Sequence, residues 1–86
     1  MIALTATAAQ EWGRYGIRVN TILPGPVETP MLGTVPDKVT QAWLKGTPLG
    51  RIAQPDDIAG AVAFLLSDAA SHITGQQLPV SGGLRL

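Results

Sequence analysis

Residues 17–26, IRVNTILPGP, read as a β-strand cut short by a rigid turn. Ile17, Val19, Thr21 and Ile22 are β-branched and suit a pleated surface, and Pro24-Gly25-Pro26 stops the run abruptly. A strand is therefore predicted over residues 17–23. A second is predicted over 76–80, QQLPV, halted by Gly82-Gly83. Between them lies the clearest helix of the chain. Pro55 opens it, and Asp56 and Asp57 fall in its first turn, where the helix dipole favours negative charge. Ile58, Val62, Leu65, Leu66 and Ala69 make its apolar face. Two strands joined by a crossover that carries a long amphipathic helix form a βαβ unit, with parallel strands and a right-handed connection.

Working outward, residues 1–12 are predicted as a helix reaching to about residue 15, with Leu4, Ala8, Trp12 and Tyr15 on one apolar stripe and Gly16 as the stop. No Ser, Thr, Asp or Asn precedes Ile2, so the helix reads as one entered midway. Residues 27–33 are a loop or short helical turn. Pro36 is placed as the first helical residue of a short helix over 36–45, with Thr34 and Asp37 as a capping-box-like pair and Gly46 at the close. Residues 47–54 form a loop and 71–75 a turn. The predicted order is α-β-α-α-β.

A two-stranded parallel sheet is not a domain, because parallel strands need cover on both faces and neighbours at both edges. IRVNTIL has the apolar content of an inner strand, and the sequence offers it only one neighbour. The expectation is that residues 1–86 are an incomplete part of a larger parallel α/β sheet. Composition agrees. Apolar residues make up 45% of the chain and charged residues 14%, the reverse of a disordered segment, so much of the surface is expected to be covered by something else.

Several classes are excluded at the same level. Six basic and six acidic residues give no electrostatic case for nucleic acid or an acidic membrane. With no cysteine there is no disulfide or thiolate chemistry, and one histidine leaves no metal constellation. No apolar run is long enough to span a bilayer and no signal peptide is read, so the cytoplasm is the default compartment.

Two long stretches carry a resemblance. GIRVNTILPGPVETPM over 16–31 resembles the segment after the catalytic helix of short-chain dehydrogenases/reductases. PLGRIAQPDDIAGAVAFLLSD with HITGQQLPVSGG resembles that family's C-terminal helix and last strand. The likeness covers essentially the whole chain in matching order, and is closest to the 3-oxoacyl-carrier-protein reductases. It implies that residues 1–86 are the C-terminal part of a Rossmann-type, doubly wound parallel α/β sheet whose N-terminal cofactor-binding half is absent and, in the complete enzyme, NAD or NADP and a small carbonyl or alcohol substrate. It also implies what is missing: the glycine-rich phosphate turn, the catalytic Ser, the Tyr-x-x-x-Lys pair and the supporting Asn. Tyr15 is the only tyrosine, and Val19 stands where a paired Lys would be needed, so the isolated chain is expected to be inactive.

By this resemblance the residue matching Val27 offers backbone groups to the nicotinamide carboxamide. The one matching Thr29 offers a hydroxyl there or to a nearby phosphate, and Pro24 and Gly25 allow close approach of the ring. Spacing alone reads Pro24-Gly25-Pro26 equally well as a plain turn. Residues 33–46 match the family's variable substrate lid. Met31, Leu32, Val35 and Trp43 are candidates to line a pocket there, although ordinary packing is the commoner use of such side chains. Arg51 is a candidate to bind a phosphate or another subunit, although a solvated loop charge is the commoner use, and His72 reads as structural. Trp12 and Tyr15 read as core or interface anchors. The family likeness further implies homo-oligomer contacts through the helices at 2–15 and 55–67, and the alternative function is a non-catalytic module that joins full-length subunits.

Overall fold

The computed structural model describes residues 2–85, with the side chains of Ile2 and Met31 outside that description. Its elements are α1 (Ile2–Trp12), β1 (Thr21–Pro24), α2 (Asp37–Gly46), α3 (Pro55–Leu66) and β2 (Gln77–Val80). Short 3-10 turns lie at Gly13–Tyr15, Pro30–Thr34 and Asp68–Ala70. The expected α-β-α-α-β order is present, and β1 and β2 pair in parallel with Thr21 opposite Gln77 and Pro24 opposite Val80.

Both strands are shorter than the predicted 17–23 and 76–80. The residues before β1 are held by other means. Val19 donates its N–H to Thr74 Oγ1 at 3.0 Å and accepts from the Gly75 N–H at 2.7 Å. Asn20 ties in the same turn, donating through Nδ2 to the Ile73 carbonyl at 3.1 Å and accepting the Gln76 N–H at 3.1 Å. A side-chain scaffold thus replaces the ladder until Thr21.

The expected helix stop at Gly16 is present, with φ of 75° and its N–H on the Gly13 carbonyl. The stripe on α1 differs from expectation. Thr5, Ala8 and Ala9 are buried, whereas Leu4 and Tyr15 are each 68% exposed. The reason is close approach. Thr5 shares a hydrogen bond with Thr21 of β1, and a Cβ on Gly75 would lie 3.3 Å from Ala9. Only small side chains let the helix axis sit that near the sheet, and larger ones are turned outward.

Helix α2 begins at Asp37 with Pro36 as its N-cap and no side-chain capping bond, so the Thr34–Asp37 box and a first-turn Pro36 are not formed. The box is on α3 instead. There Gln54 is the N-cap and donates its backbone N–H to Asp57 Oδ2 at 2.8 Å, reciprocally with the Gln54 side chain. Because α3 ends at Leu66, Ala69 falls in the following 3-10 turn rather than on its face.

Thr21 faces α1. Alternation along the strand therefore turns Ile22 to the opposite face, where it shares a groove with Val62, Leu65 and Leu66 of α3. One helix covers each face of the sheet. The buried apolar core among the described residues is small: Ala8, Ala9, Leu65 and Ala70.

At the far end, Leu49 donates its N–H to the Gly82 carbonyl at 3.0 Å, seating the 47–50 loop on the chain after β2. Gly82 has φ of +64°, and a Cβ there would lie 2.8 Å from Thr47 Cγ2. Gly82→Ala is expected to cost about 1–3 kcal/mol. The check is the urea midpoint followed by tryptophan fluorescence, which should fall. An unchanged midpoint would mean that this contact does not hold the loop.

Candidate functional site

The candidate loop, residues 24–29, leaves the C-terminal end of β1, the end at which open α/β sheets bind ligands. Gly25 donates its N–H to the Val80 carbonyl at 3.0 Å, and a Cβ on Gly25 would meet Ser81 Cβ at 3.0 Å. Its lack of a side chain is thus required by the neighbouring strand end.

Beyond it the chain forms a second parallel contact, a single bridge between Val27 and Ala53. Ala53 donates its N–H to the Pro26 carbonyl at 3.3 Å, and Glu28 donates to the Ala53 carbonyl at 2.7 Å. In a parallel bridge of this kind the flanking residues carry both bonds, so the N–H and C=O of Val27 itself point the other way. Val27 there borders an open, strongly apolar groove with Pro24, Thr29, Ile58, Val62 and Leu66. Thr29 is exposed, precedes a 3-10 turn and makes no side-chain capping bond.

A polar clamp holds the loop from behind. Gln54 Nε2 donates to the Glu28 carboxylate, and Gln54 N–H to Asp57. Asp57 in turn accepts from Arg51 at 2.7 Å and 3.1 Å in a two-pronged pair. Arg51 is therefore paired, against the reading of it as a solvated charge, although it stays largely exposed. The Arg51 hydrogen bonds, then the Gln54 N–H, draw the Asp57 carboxyl from 3.8 down to about 2, and Asp57 raises the Arg51 guanidinium.

Of the residues singled out from sequence, the structure brings Pro24, Val27 and Thr29 to one groove, while Gly25 faces Ser81. Leu32 and Val35 line a neighbouring concavity that also includes Thr29 and Glu28. Trp43 is half-buried, and its carbonyl accepts the Thr47 hydroxyl at 2.6 Å. The side chain of Met31 lies outside the described residues. Sequence reasoning missed the Glu28–Gln54–Asp57–Arg51 clamp. Its one local signal was Gln54 three residues before Asp57, the spacing of a capping box. Ile58, Val62 and Leu66, read from sequence as part of the apolar face of α3, line the open groove. Among the described residues, no group of three His, Cys, Asp or Glu side chains is placed to hold a metal, and no helix is long and apolar enough to cross a membrane.

A parallel β-α-β frame with a loop leaving the C-terminal end of its first strand is part of a Rossmann-type α/β fold, and the chain belongs to the short-chain dehydrogenase/reductase family. The family model described as enoyl-(acyl carrier protein) reductase matches residues 1–85. The (3R)-3-hydroxyacyl-CoA dehydrogenase of Mus musculus is 49% identical over 84 residues, which are 98% of this chain and 32% of that protein. The 3-oxoacyl-[acyl-carrier-protein] reductase FabG of Thermotoga maritima is 42% identical over 98% of this chain and 34% of its own length. Among solved structures, the 3-oxoacyl-[acyl-carrier protein] reductase of Brucella melitensis superposes with a TM-score of 0.94 at 40% identity, covering 99% of this chain and 32% of that one. The hydroxysteroid dehydrogenase of Escherichia coli does so with a TM-score of 0.93 at 43% identity, over 99% and 36%. The chain thus spans about a third of the length of the relatives it matches.

The clamp has a measurable signature. Because the folded carboxyl of Asp57 titrates below its unfolded value of 3.8, its pairing favours the fold fully above that pH and is lost as pH falls through about 2. A carbon-13 NMR titration should place the Asp57 midpoint near 2, and Arg51→Gln should move it upward. A midpoint of 3.8 in the unsubstituted chain would show that the clamp is not formed in solution.

Proposed function

We propose that this chain is the C-terminal part of an NAD(P)-dependent oxidoreductase that interconverts an alcohol and a carbonyl, with loop 24–29 helping to hold the nicotinamide end of the cofactor. The observation that carries this reading is the Val27–Ala53 bridge, which leaves the Val27 N–H and C=O turned away from Ala53 on a residue that borders the same groove as Thr29. Amide donors and acceptors of fixed direction suit a planar carboxamide, and fixing its orientation fixes which ring face meets the substrate. NAD or NADP supplies the hydride when bound. The chain's own contribution is to orient and shield. Val27 and Thr29 offer polar groups, Pro24 and Ile58 exclude water, and the Gln54–Glu28 contact keeps the loop from swinging away.

The names of the relatives speak for a 3-oxoacyl or 3-hydroxyacyl thioester as substrate. Leu32 and Val35 belong to the concavity next to the loop and are proposed, with Met31 and Trp43, as part of the substrate lid. The family's Tyr-x-x-x-Lys pair does not occur in these residues, so the 86-residue chain by itself is expected to turn over no substrate. The cytoplasm remains the proposed compartment.

A second reading is favoured by the apolar faces of the helices. Leu4 and Tyr15 follow the outer side of α1 and its extension, and Leu66, at the end of α3, is 77% exposed. Such surface fits assembly with other family subunits through the helices at 2–15 and 55–67, either as part of a homo-oligomer or as a non-catalytic module.

To test the first reading, the residues that precede the matched segment in the mouse relative are joined to this chain, and NAD(P)H oxidation is followed with an acetoacetyl thioester. Turnover is expected. Thr29→Val should raise the KM for the cofactor roughly tenfold, the value of about one hydrogen bond to a polar ligand. A soluble, folded joined protein with no turnover would sink the reading.

A further inference from the structure

The crossover between the two strands is anchored most firmly at the exit of α2. Among the described residues between Thr21 and Leu65, only Thr47 is buried, and α2 itself contributes no buried residue. Thr47 follows α2 directly. Its hydroxyl donates to the Trp43 carbonyl at 2.6 Å and its N–H to the Leu44 carbonyl at 3.3 Å, so it closes the last turn of the helix. Its methyl group is pressed on Gly82, where a Cβ would lie 2.8 Å from Thr47 Cγ2.

The surface under Thr47 is the turn after β2. Leu84 donates its N–H to the Ser81 carbonyl at 3.1 Å, and the Ser81 hydroxyl donates to the Leu84 carbonyl at 3.0 Å, closing residues 81–84 on themselves. Residues 46–49 meet this turn in order. A Cβ on Gly46, the last residue of α2, would lie 3.1 Å from Leu84 Cδ1, and one on Gly83 would lie 2.9 Å from Pro48 Cγ. Leu49 completes the seat with its N–H on the Gly82 carbonyl at 3.0 Å. The turn is fixed from its other side by the ladder. Gly25 bonds the Val80 carbonyl at 3.0 Å, and a Cβ on Gly25 would meet Ser81 Cβ at 3.0 Å and Ser81 Cα at 3.1 Å. One small turn therefore supports both the loop at 24–29 and the exit of α2.

The concavity bordered by Leu32, Val35, Asp37 and Thr40 involves only the opposite end of α2. A helix of ten residues is about 15 Å long, so a tilt of about 10° at Thr47 carries its first turn through about 3 Å. From this lever we infer that the turn at residues 81–84 is the seat on which the substrate lid pivots, and that Leu84 is a positioning residue for the carbonyl or alcohol substrate. This inference deepens, and rests on, the oxidoreductase reading above. Leu84 lines neither the concavity nor the groove beside Val27 and Thr29, and it acts through Gly46. Such hinges sit at the ends of elements, away from the chemistry they control.

The test uses the joined protein described above with an acetoacetyl thioester and NAD(P)H. Leu84→Ala should raise the KM for the thioester about fivefold or more and leave the KM for NAD(P)H within about twofold, because the seat of the lid shifts while the ladder under the loop does not. Leu84→Met, which refills the space over Gly46, should restore the thioester KM. Arg85→Ala, at the exposed neighbouring residue, should leave both constants unchanged. An unchanged thioester KM in Leu84→Ala, an equal rise in both constants, no recovery with Leu84→Met, or the same rise in Arg85→Ala would overturn the proposal. A second measurement needs no turnover. In this chain, Leu84→Ala should speed hydrogen exchange at the Leu49 amide about tenfold and leave the Gly25 amide unchanged. Equal acceleration at both amides, or none at Leu49, would also overturn it. Absence of turnover by the unsubstituted joined protein would count against the oxidoreductase reading, and selective exchange at Leu49 would then still establish Leu84 as part of the seat of residues 46–49.

Discussion

The parallel pairing of Thr21–Pro24 with Gln77–Val80 is the constraint on which the rest of the chain depends. Parallel strands cannot be joined by a tight turn, so the intervening residues must cross over one face, and α3 does so. The same ladder brings the turn at residues 73–76 beneath the start of β1, where Val19 and Asn20 bind it. Thr21 then serves two partners: its backbone belongs to the ladder, and its hydroxyl meets Thr5 of α1. Because helix and sheet meet through Thr5, Ala8, Ala9 and Gly75, the contact is close but buries little apolar area. At roughly 25 cal/mol per Å² of apolar surface, alanine-sized side chains give modest stabilisation, so backbone hydrogen bonds and cover by further elements matter more here than in a domain with a large core.

The candidate site repeats the logic of the ladder on a smaller scale. One parallel bridge, Val27 to Ala53, decides the direction of the Val27 peptide groups, and a clamp of four polar side chains keeps that bridge in place. The Arg51–Asp57 pair is exposed and screened by water, so its worth to overall stability is small. Its consequence is geometric. Asp57 cannot cap Gln54 in a different orientation without giving up Arg51, and Gln54 is the residue that reaches Glu28 on the loop.

Ile58, Val62 and Leu66 sit at helical spacing on α3, as in a buried helix, yet only part of that face meets the two strands present. The relatives that the chain matches are about three times as long.

Much of this was written in local sequence. β-branched residues before Pro24-Gly25-Pro26, an amphipathic run behind Pro55 and glycines at Gly16 and Gly82-Gly83 identify the elements, their order and the parallel crossover, because periodicity and backbone freedom are properties of a few adjacent residues. The location of the loop at the strand's C-terminal end follows from that order. What the tertiary structure alone decided is which groups face each other: that α1 presents Thr5 and Ala9 and not Leu4 and Tyr15, that the capping box lies at Gln54–Asp57 and not at Thr34–Asp37, that Arg51 is paired, and that Val27 is turned outward by Ala53. Each of these depends on how near two distant segments come, and that distance is set by the strand ladder and by side-chain size at the contact, neither of which is carried by any one stretch of the chain.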